Sequence, residues 1–314
     1  MTLFSKLNPK TVFFITLILA ASGTISPPVA LVLGIVYGFS FVHPYHLESR
    51  NLSRILLQLA VVGLGFGMNL RQVIHAGKAG FVYTAISISG VMLLGWLLGR
   101  LFRVSKKASY LITVGTAICG GSAIAAISPI TNPNEEEMAM SLGTVFILNS
   151  AALLIFPPIG HALHLTQSQF GLWAALAIHD TSSVVGASAK YGGQALQIAT
   201  TVKLTRALWI VPLAMVTAYF TKSRAKIKLP WFILFFCLAA VAYTYFPIGK
   251  IVYVGLSNLG RIGLTVVLFL IGTGLSKETL RRVGVRPFLQ GILLWAVVGV
   301  VSLLAIRAGW ISLS

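Results

Sequence analysis

The sequence predicts an all-α polytopic membrane protein of about eleven transmembrane helices, with inverted repeats and two interrupted core helices. Three observations predict it: an apolar composition, a series of membrane-length apolar runs, and two polar interruptions inside those runs.

Composition sets the class. Of 314 residues, 57% are hydrophobic and 10% are charged, and the mean hydropathy is +0.90. A soluble domain carries roughly 25% charged residues, so this chain has too few to cover a water-facing surface. The formal charge of +18 does not point to nucleic acid, because Lys and Arg fall in short clusters between apolar runs. That pattern sets membrane topology. The expected partners are the lipid bilayer and a small anionic substrate, with a homodimer as the candidate assembly. Cys119 and Cys237 both fall in apolar stretches, giving neither a disulfide framework nor a metal-ligand spacing. No cofactor or metal is expected.

Runs able to cross about 30 Å of hydrocarbon lie near 11–24, 27–43, 52–69, 79–101, 108–130, 136–158, 168–189, 195–220, 230–247, 251–275 and 287–310. Lys6, Lys10 and Ala21-Ser22-Gly23 around the first run resemble a secretory signal, but with so many spans following it is read as retained. With the N-terminus inside, inner segments hold Lys6, Lys10, Arg50, Arg54, Arg100, Arg103, Lys106, Lys107, Lys222, Arg224, Lys226, Lys228, Lys277, Arg281, Arg282 and Arg286. Outer segments hold only Arg71, Lys78, Lys190, Lys250 and Arg307. Sixteen against five is a strong positive-inside bias. It predicts a cytoplasmic N-terminus and a periplasmic C-terminus in a bacterial inner membrane, with 222–229 inside and 133–137 outside. In the latter segment, Asn134 and Glu137 have the spacing of a capping box.

Two internal echoes stand out. Arg54-Ile55 with Gly65-Phe66-Gly67-Met68-Asn69 recurs 207 positions later as Arg261-Ile262 with Gly272-Thr273-Gly274-Leu275-Ser276. These are the third and tenth spans, which run in opposite directions, as in transporters built from inverted repeats. A second echo, offset by 60, pairs Ala117-Ile118-Cys119-Gly120-Gly121-Ser122 with Ala177-Ile178-His179-Asp180-Thr181-Ser182. The unequal offsets argue against a single duplication as the source of both.

The second echo carries the chemistry. Gly120 and Gly121 weaken a helix by about 1 kcal/mol each relative to alanine and allow close backbone approach. Ser122 can then cap a second half-helix, leaving N–H groups and a positive helix end inside the protein, a site for an anion. The bland reading is a small-residue packing face. In the seventh span, Thr181, Ser182 and Ser183 repeat the hydroxyl chemistry at the same depth, and paired interruptions point to a transporter's binding site. Asp180 is the only acid inside a hydrophobic run, a functional position by default; with His179 it is a candidate proton carrier. Lys203 and Arg206, three apart on one helical face, could supply charge to an anion. The bland reading pairs them with Asp180. One acid cannot neutralise both, and Arg261 adds a third base within a span.

At these residues the chain resembles the YeiH-type sulfate-exporter family of bacterial inner-membrane proteins. The carriers are Ile118 to Ala126 and Ala177 to Val185, with support from Gly65-Phe66-Gly67 and Ile271-Gly272-Thr273-Gly274. The resemblance covers nearly the whole chain. It groups the chain with elevator-type secondary carriers of the bile-acid-symporter and cation–proton-antiporter clan, and implies an inverted-repeat transporter with a mobile core.

The expected protein is one integral membrane transporter domain over 1–314, its core around 108–130 and 168–189 and its scaffold the remaining spans. The expected activity is secondary active export of a small anion (sulfate, sulfite or an organosulfonate) coupled to a proton or ion gradient. Substrate would meet Gly120, Gly121, Ser122, Thr181, Ser182, Ser183, Lys203 and Arg206, while His179 and Asp180 serve coupling. No Gly-x-x-x-x-Gly-Lys-Ser/Thr loop is present for ATP. No paired carboxylates or Ser-His dyad suggests an enzyme, and no span has the continuous polar lining of a channel. The alternative is a cation–proton antiporter using Asp180.

Overall fold

A computed structural model describes residues 8–41, 44–222, 231–246, 249–274 and 284–311, and every regular element among them is a helix. In chain order they are α1 (Pro9–Ala21), α2 (Pro27–Ser40), α3 (His46–Gly65), α4 (Leu70–Leu101), α5 (Lys106–Ala117), α6 (Gly121–Thr131), α7 (Glu135–Ala162), α8 (Gln167–Ala177), α9 (Thr181–Tyr191), α10 (Gly193–Ala207), α11 (Ile210–Thr221), α12 (Trp231–Tyr245), α13 (Lys250–Thr273) and α14 (Val285–Arg307). Among the described residues, five stretches are long and apolar enough to cross a membrane: Tyr83–Leu101, Glu136–Ala162, Gly193–Thr221, Lys250–Thr273 and Val285–Arg307. The chain forms two compact units, 1–72 with 231–277, and 73–230 with 278–314. Most of the loop expected at 222–229, and Leu275 and Ser276 of the first echo, lie outside the described residues.

The first unit is held by close helix packing at glycines. A methyl placed on Gly260 would lie 2.7 Å from the Ala60 carbonyl oxygen, and one on Gly63 would lie 2.9 Å from that of Leu256. Small residues there let α3 and α13 approach backbone to backbone, the main source of helix affinity in lipid. Gly65 and Gly272, equivalent under the 207-residue offset, make matching contacts. A methyl on Gly65 would lie 2.7 Å from the Phe236 oxygen on α12, and one on Gly272 would lie 2.5 Å from the Leu31 oxygen on α2. The α1 helix begins at Asn8, whose Oδ1 accepts the Lys10 N–H at 3.0 Å, and its Phe13 packs 5.7 Å from the rings of both Tyr37 and Phe269.

In the second unit, the two interrupted segments do not cross; each turns back on itself. Lys107 Nζ donates to the Asn132 carbonyl at 2.6 Å, so the start of α5 touches the end of α6. A methyl on Gly115 would lie 3.0 Å from Ile124 Cδ1, which continues the antiparallel pairing toward the turn. Likewise Tyr191 Oη donates to the Leu165 carbonyl at 2.6 Å, and its ring stacks on Phe170 at 3.8 Å. These pairs join the start of α8 to the end of α9. Each half-helix is about 17 Å long by its residue count, roughly half the hydrocarbon thickness. The eleven expected spans therefore include two helical hairpins. A helix, a break and a second helix give the same apolar run whether the second half continues or reverses, which is why the run lengths misled.

The hairpins open toward opposite ends of α7. At one end Ser105 Oγ donates to Glu137 Oε1 at 2.8 Å, and the capping box expected at Asn134 and Glu137 is present. At the other end α8 begins with a second capping box, Thr166 with Gln169. Residues 132–137 thus share an end of the unit with 105–107. This overturns the expectation that 133–137 and the Lys106–Lys107 cluster lie on opposite sides. The charge count could not detect it: the segments that change sides, 131–137 and 158–167, contain no Lys or Arg, and acids carry little topological weight. Two hairpins preserve downstream parity, so the sixteen-to-five bias is unchanged.

Candidate functional site

The hairpin tips meet. At the first, α5 ends at Ala117, Ile118 leaves helical geometry (φ −119°, ψ −86°), and Gly120 takes φ +65°, ψ −130° before α6 begins. That conformation is essentially reserved for glycine. A methyl on Gly120 would lie 3.3 Å from the Cα and Cβ of Asp180, at the second tip. There α8 ends at Ala177, Ile178 is extended, and Asp180 is the N-cap of α9. Both expected interruptions are present, one residue N-terminal to the hydroxyl clusters.

The capping chemistry differs from expectation. Ser122 caps nothing; the N-cap position of α6 is Gly120 and carries no side-chain cap. The first N–H groups of α6, on Gly121 and Ser122, have no acceptor within the helix. Gly121 is half-buried and Ser122 exposed, so this positive helix end is accessible. At α9 the cap is the carboxylate. Asp180 Oδ2 accepts the Ser182 N–H at 3.0 Å and the Ser183 N–H at 3.3 Å, and also the Ser182 hydroxyl. A carboxylate at a helix N-terminus is favoured by both hydrogen bonding and the dipole. Thr181, Ser182 and Ser183 are all buried in the first turn of α9.

Lys203 and Arg206, both fully buried on α10, sit on the carbonyl side of the tips. Lys203 Nζ donates to the Ile178 oxygen at 2.7 Å and more weakly to that of Ala175 at 3.4 Å. Arg206 donates Nε to the Ala117 oxygen at 2.6 Å, Nη1 to the Leu176 oxygen at 2.8 Å and Nη2 to the Thr116 oxygen at 3.4 Å. The last turn of a helix leaves carbonyls without partners, and cations suit its negative end. The two bases therefore cap the C-termini of α5 and α8. Arg261 belongs to the first unit and is exposed on α13.

One site residue escaped the sequence reading. Asn149, at the middle of α7 and 2% exposed, accepts the N–H groups of His179 and Asp180 on its Oδ1 at 3.0 and 3.1 Å. Its signal was visible: it is the one carboxamide in the apolar run 138–158, and such polar groups within a span need a partner. His179 is fully buried, with both ring nitrogens unpartnered among the described residues, as is Asn149 Nδ2.

Sequence comparisons match the chain to a family. A family model described as conserved hypothetical protein 698 matches residues 11–291. A UPF0324 membrane protein of Bacteroides thetaiotaomicron is 51% identical over 287 residues, covering 90% of this chain and 87% of that protein. One from Bdellovibrio bacteriovorus is 50% identical over 309 residues, 96% of this chain and 95% of that protein. One from Geobacter sulfurreducens is 46% identical over 298 residues, 95% and 96% of the two chains. No solved structure matches the chain. Because the matched residues run through both hairpins and both units, the chain belongs to the YeiH-like UPF0324 family of membrane proteins.

Proposed function

We propose that the protein is a secondary active carrier for a small anion (sulfate, sulfite or an organosulfonate), exported from the cytoplasm by an elevator motion of the hairpin-bearing unit. The observation that carries this reading is the contact of the two hairpin tips. It leaves the uncapped N-terminus of α6 at roughly half the length of the helices around it, near the Asn149 amide nitrogen and the His179 ring, which have no partner among the described residues. Helix N-termini at the membrane midplane bind anionic groups without a formal charge. Lys203 and Arg206 act from behind the tips, adding positive potential while they hold the backbone. The engagement of Asp180 Oδ2 as a helix cap favours this reading over a cation–proton antiporter.

The topology in this reading has nine crossings and two re-entrant hairpins, with the N-terminus cytoplasmic and the C-terminus periplasmic. It also accounts for both echoes. Helices α2–α4 correspond to α12–α14 at an offset near 207, and the first hairpin with α7 corresponds to the second hairpin with α10–α11 at an offset near 60. Each pair runs in opposite directions. One inverted duplication whose second copy is circularly permuted gives both offsets, and the matching contacts of Gly65 and Gly272 support it. The first unit would then serve as scaffold and the second as the moving core.

Binding tests the cargo most directly. Purified protein is heated with sulfate, sulfite, taurine or sulfoacetate as sodium salts, against sodium gluconate. A ligand at about 100 times its Kd stabilises by about 2.7 kcal/mol, readily seen as a rise in unfolding temperature. A hit should then be expelled from proteoliposomes in response to a proton gradient. Stabilisation by Na⁺ or Li⁺, with none by any anion, would overturn the proposal.

A further inference from the structure

We infer that Asn149 reads the sign of the cargo's charge, donating its Nδ2–H to a bound anion between the hairpin tips, with His179 as a second donor; this rests on the anion-carrier reading above. The amide orientation is settled by its partners. Oδ1 lies 3.0 and 3.1 Å from the His179 and Asp180 nitrogens, both of which are donors, so that end must be the carbonyl. The other end is a donor, and it is buried without an acceptor among the described residues. A buried donor left unsatisfied is destabilising, and a ligand acceptor removes that cost.

The surroundings supply donors and few acceptors. Gly121 and Ser122 begin an uncapped helix. Val145, one turn before Asn149, would touch a methyl on Gly120 at 3.3 Å, so α7 lines the same junction. His179 follows Ile178 at the second tip, and its ring holds one donor and one acceptor with no protein partner. Asp180 turns its Oδ2 into the first turn of α9, where it accepts the Ser182 and Ser183 N–H groups. A cation would need oxygen ligands here, yet the one oxygen Asn149 has already accepts two N–H groups. The arrangement suits a compact oxyanion with at least two acceptor atoms, one for the α6 terminus and one for Asn149.

Asn149→Asp separates the two readings, because it keeps an acceptor for the His179 and Asp180 N–H groups while replacing the free donor by a carboxylate oxygen. The probes are sulfate, sulfite and sulfoacetate, with Na⁺ and Li⁺ as cation controls, read by thermal shift and titration calorimetry. Backbone hydrogen exchange at 177–183 reports whether the tip is intact. The expected result is a protected tip with anion affinity reduced by about tenfold or more, the equivalent of one lost hydrogen bond to a charged group. Unchanged anion affinity in Asn149→Asp would overturn the assignment while leaving the carrier reading intact. Anion-insensitive wild-type protein that responds to Na⁺ or Li⁺, and more strongly after Asn149→Asp, would overturn both. If Asn149→Asp fails to fold, His179→Phe retains the buried ring and both backbone bonds to Asn149. It should lose several-fold in anion affinity, and equal affinity would count against the donor pair.

Discussion

Arg206 donates Nε to the carbonyl oxygen of Ala117 at 2.6 Å, and the same guanidinium reaches Leu176 at 2.8 Å. One side chain therefore closes the last turn of both α5 and α8, and ties the two hairpin tips together. The rigid planar fork of arginine makes this possible, since a lysine ammonium lacks the spread to serve both helices. Lys203, by contrast, serves only the second hairpin, through Ile178 and Ala175.

This division gives the first prediction. Arg206→Met should destabilise the protein by about 3 kcal/mol or more, because several buried carbonyls lose charged donors. Hydrogen exchange should rise at both 116–121 and 176–181. Lys203→Met should raise exchange only at 176–181, and Arg206→Lys should behave closer to Arg206→Met than to wild type. Exchange confined to one tip in Arg206→Met would refute the bridging role.

The second prediction concerns Asp180 as a cap. Asparagine caps about as well as aspartate, whereas alanine typically costs about 1 kcal/mol. Asp180→Asn should therefore fold with near-wild-type stability and Asp180→Ala should not, by thermal unfolding in detergent. If Asp180 instead balanced Lys203, removing it would leave a buried cation unpaired at a cost of about 3–5 kcal/mol. Lys203→Met would then rescue Asp180→Asn. The carbonyl caps on Lys203 argue for no rescue, and a restored unfolding temperature in the double variant would show the cap account to be wrong.

Much of this was readable from the chain, and the failures have a physical pattern. Gly120 and Asp180 were found because glycine pairs and a lone acid are costly in an apolar run. The capping box at Asn134 was found because it is local in sequence. Reversal at the tips was not legible, since Lys107 and Asn132 are 25 positions apart and neither residue type encodes the contact. The carbonyl contacts of Lys203 and Arg206 were not legible for the same reason. A buried base needs an acceptor, but composition cannot say whether that acceptor is an anion or the backbone carbonyls of another helix.

Topology supplies the third prediction. In a chain with Cys119 and Cys237 replaced by serine, single cysteines at 106 and 134 should react with an impermeant maleimide from the same side. A cysteine at 164 should react from the other, because α7 separates the openings of the two hairpins. Intact cells and inverted vesicles distinguish the sides. Labelling of 106 and 134 from opposite sides would restore eleven crossings and refute the hairpins.

The fourth prediction tests the tip contact itself. Gly120→Ala faces two penalties. Its φ of +65° with ψ −130° is strained for any residue with a Cβ, typically by about 1–3 kcal/mol. The added methyl also lies 3.3 Å from Asp180 and Val145, and backbone cannot swing aside as a side chain can. Gly121→Ala meets the ring of Phe146 at 2.9 Å and, in ordinary contact, Leu142 Cδ2 at 3.7 Å, and a ring can tilt, so its loss should be smaller. Gly193→Ala has open space around its Cβ and a φ outside the left-handed range, and should be neutral or slightly stabilising through the unfolded chain. Thermal unfolding should therefore rank the variants Gly120→Ala, then Gly121→Ala, then Gly193→Ala, from least to most stable. Exchange at 177–183 carries the sharper test. A purely local strain at Gly120 would loosen the first hairpin alone, whereas a methyl pressed against Asp180 must also raise exchange at the start of α9. Wild-type protection of 177–183 in Gly120→Ala would mean that the tips do not touch.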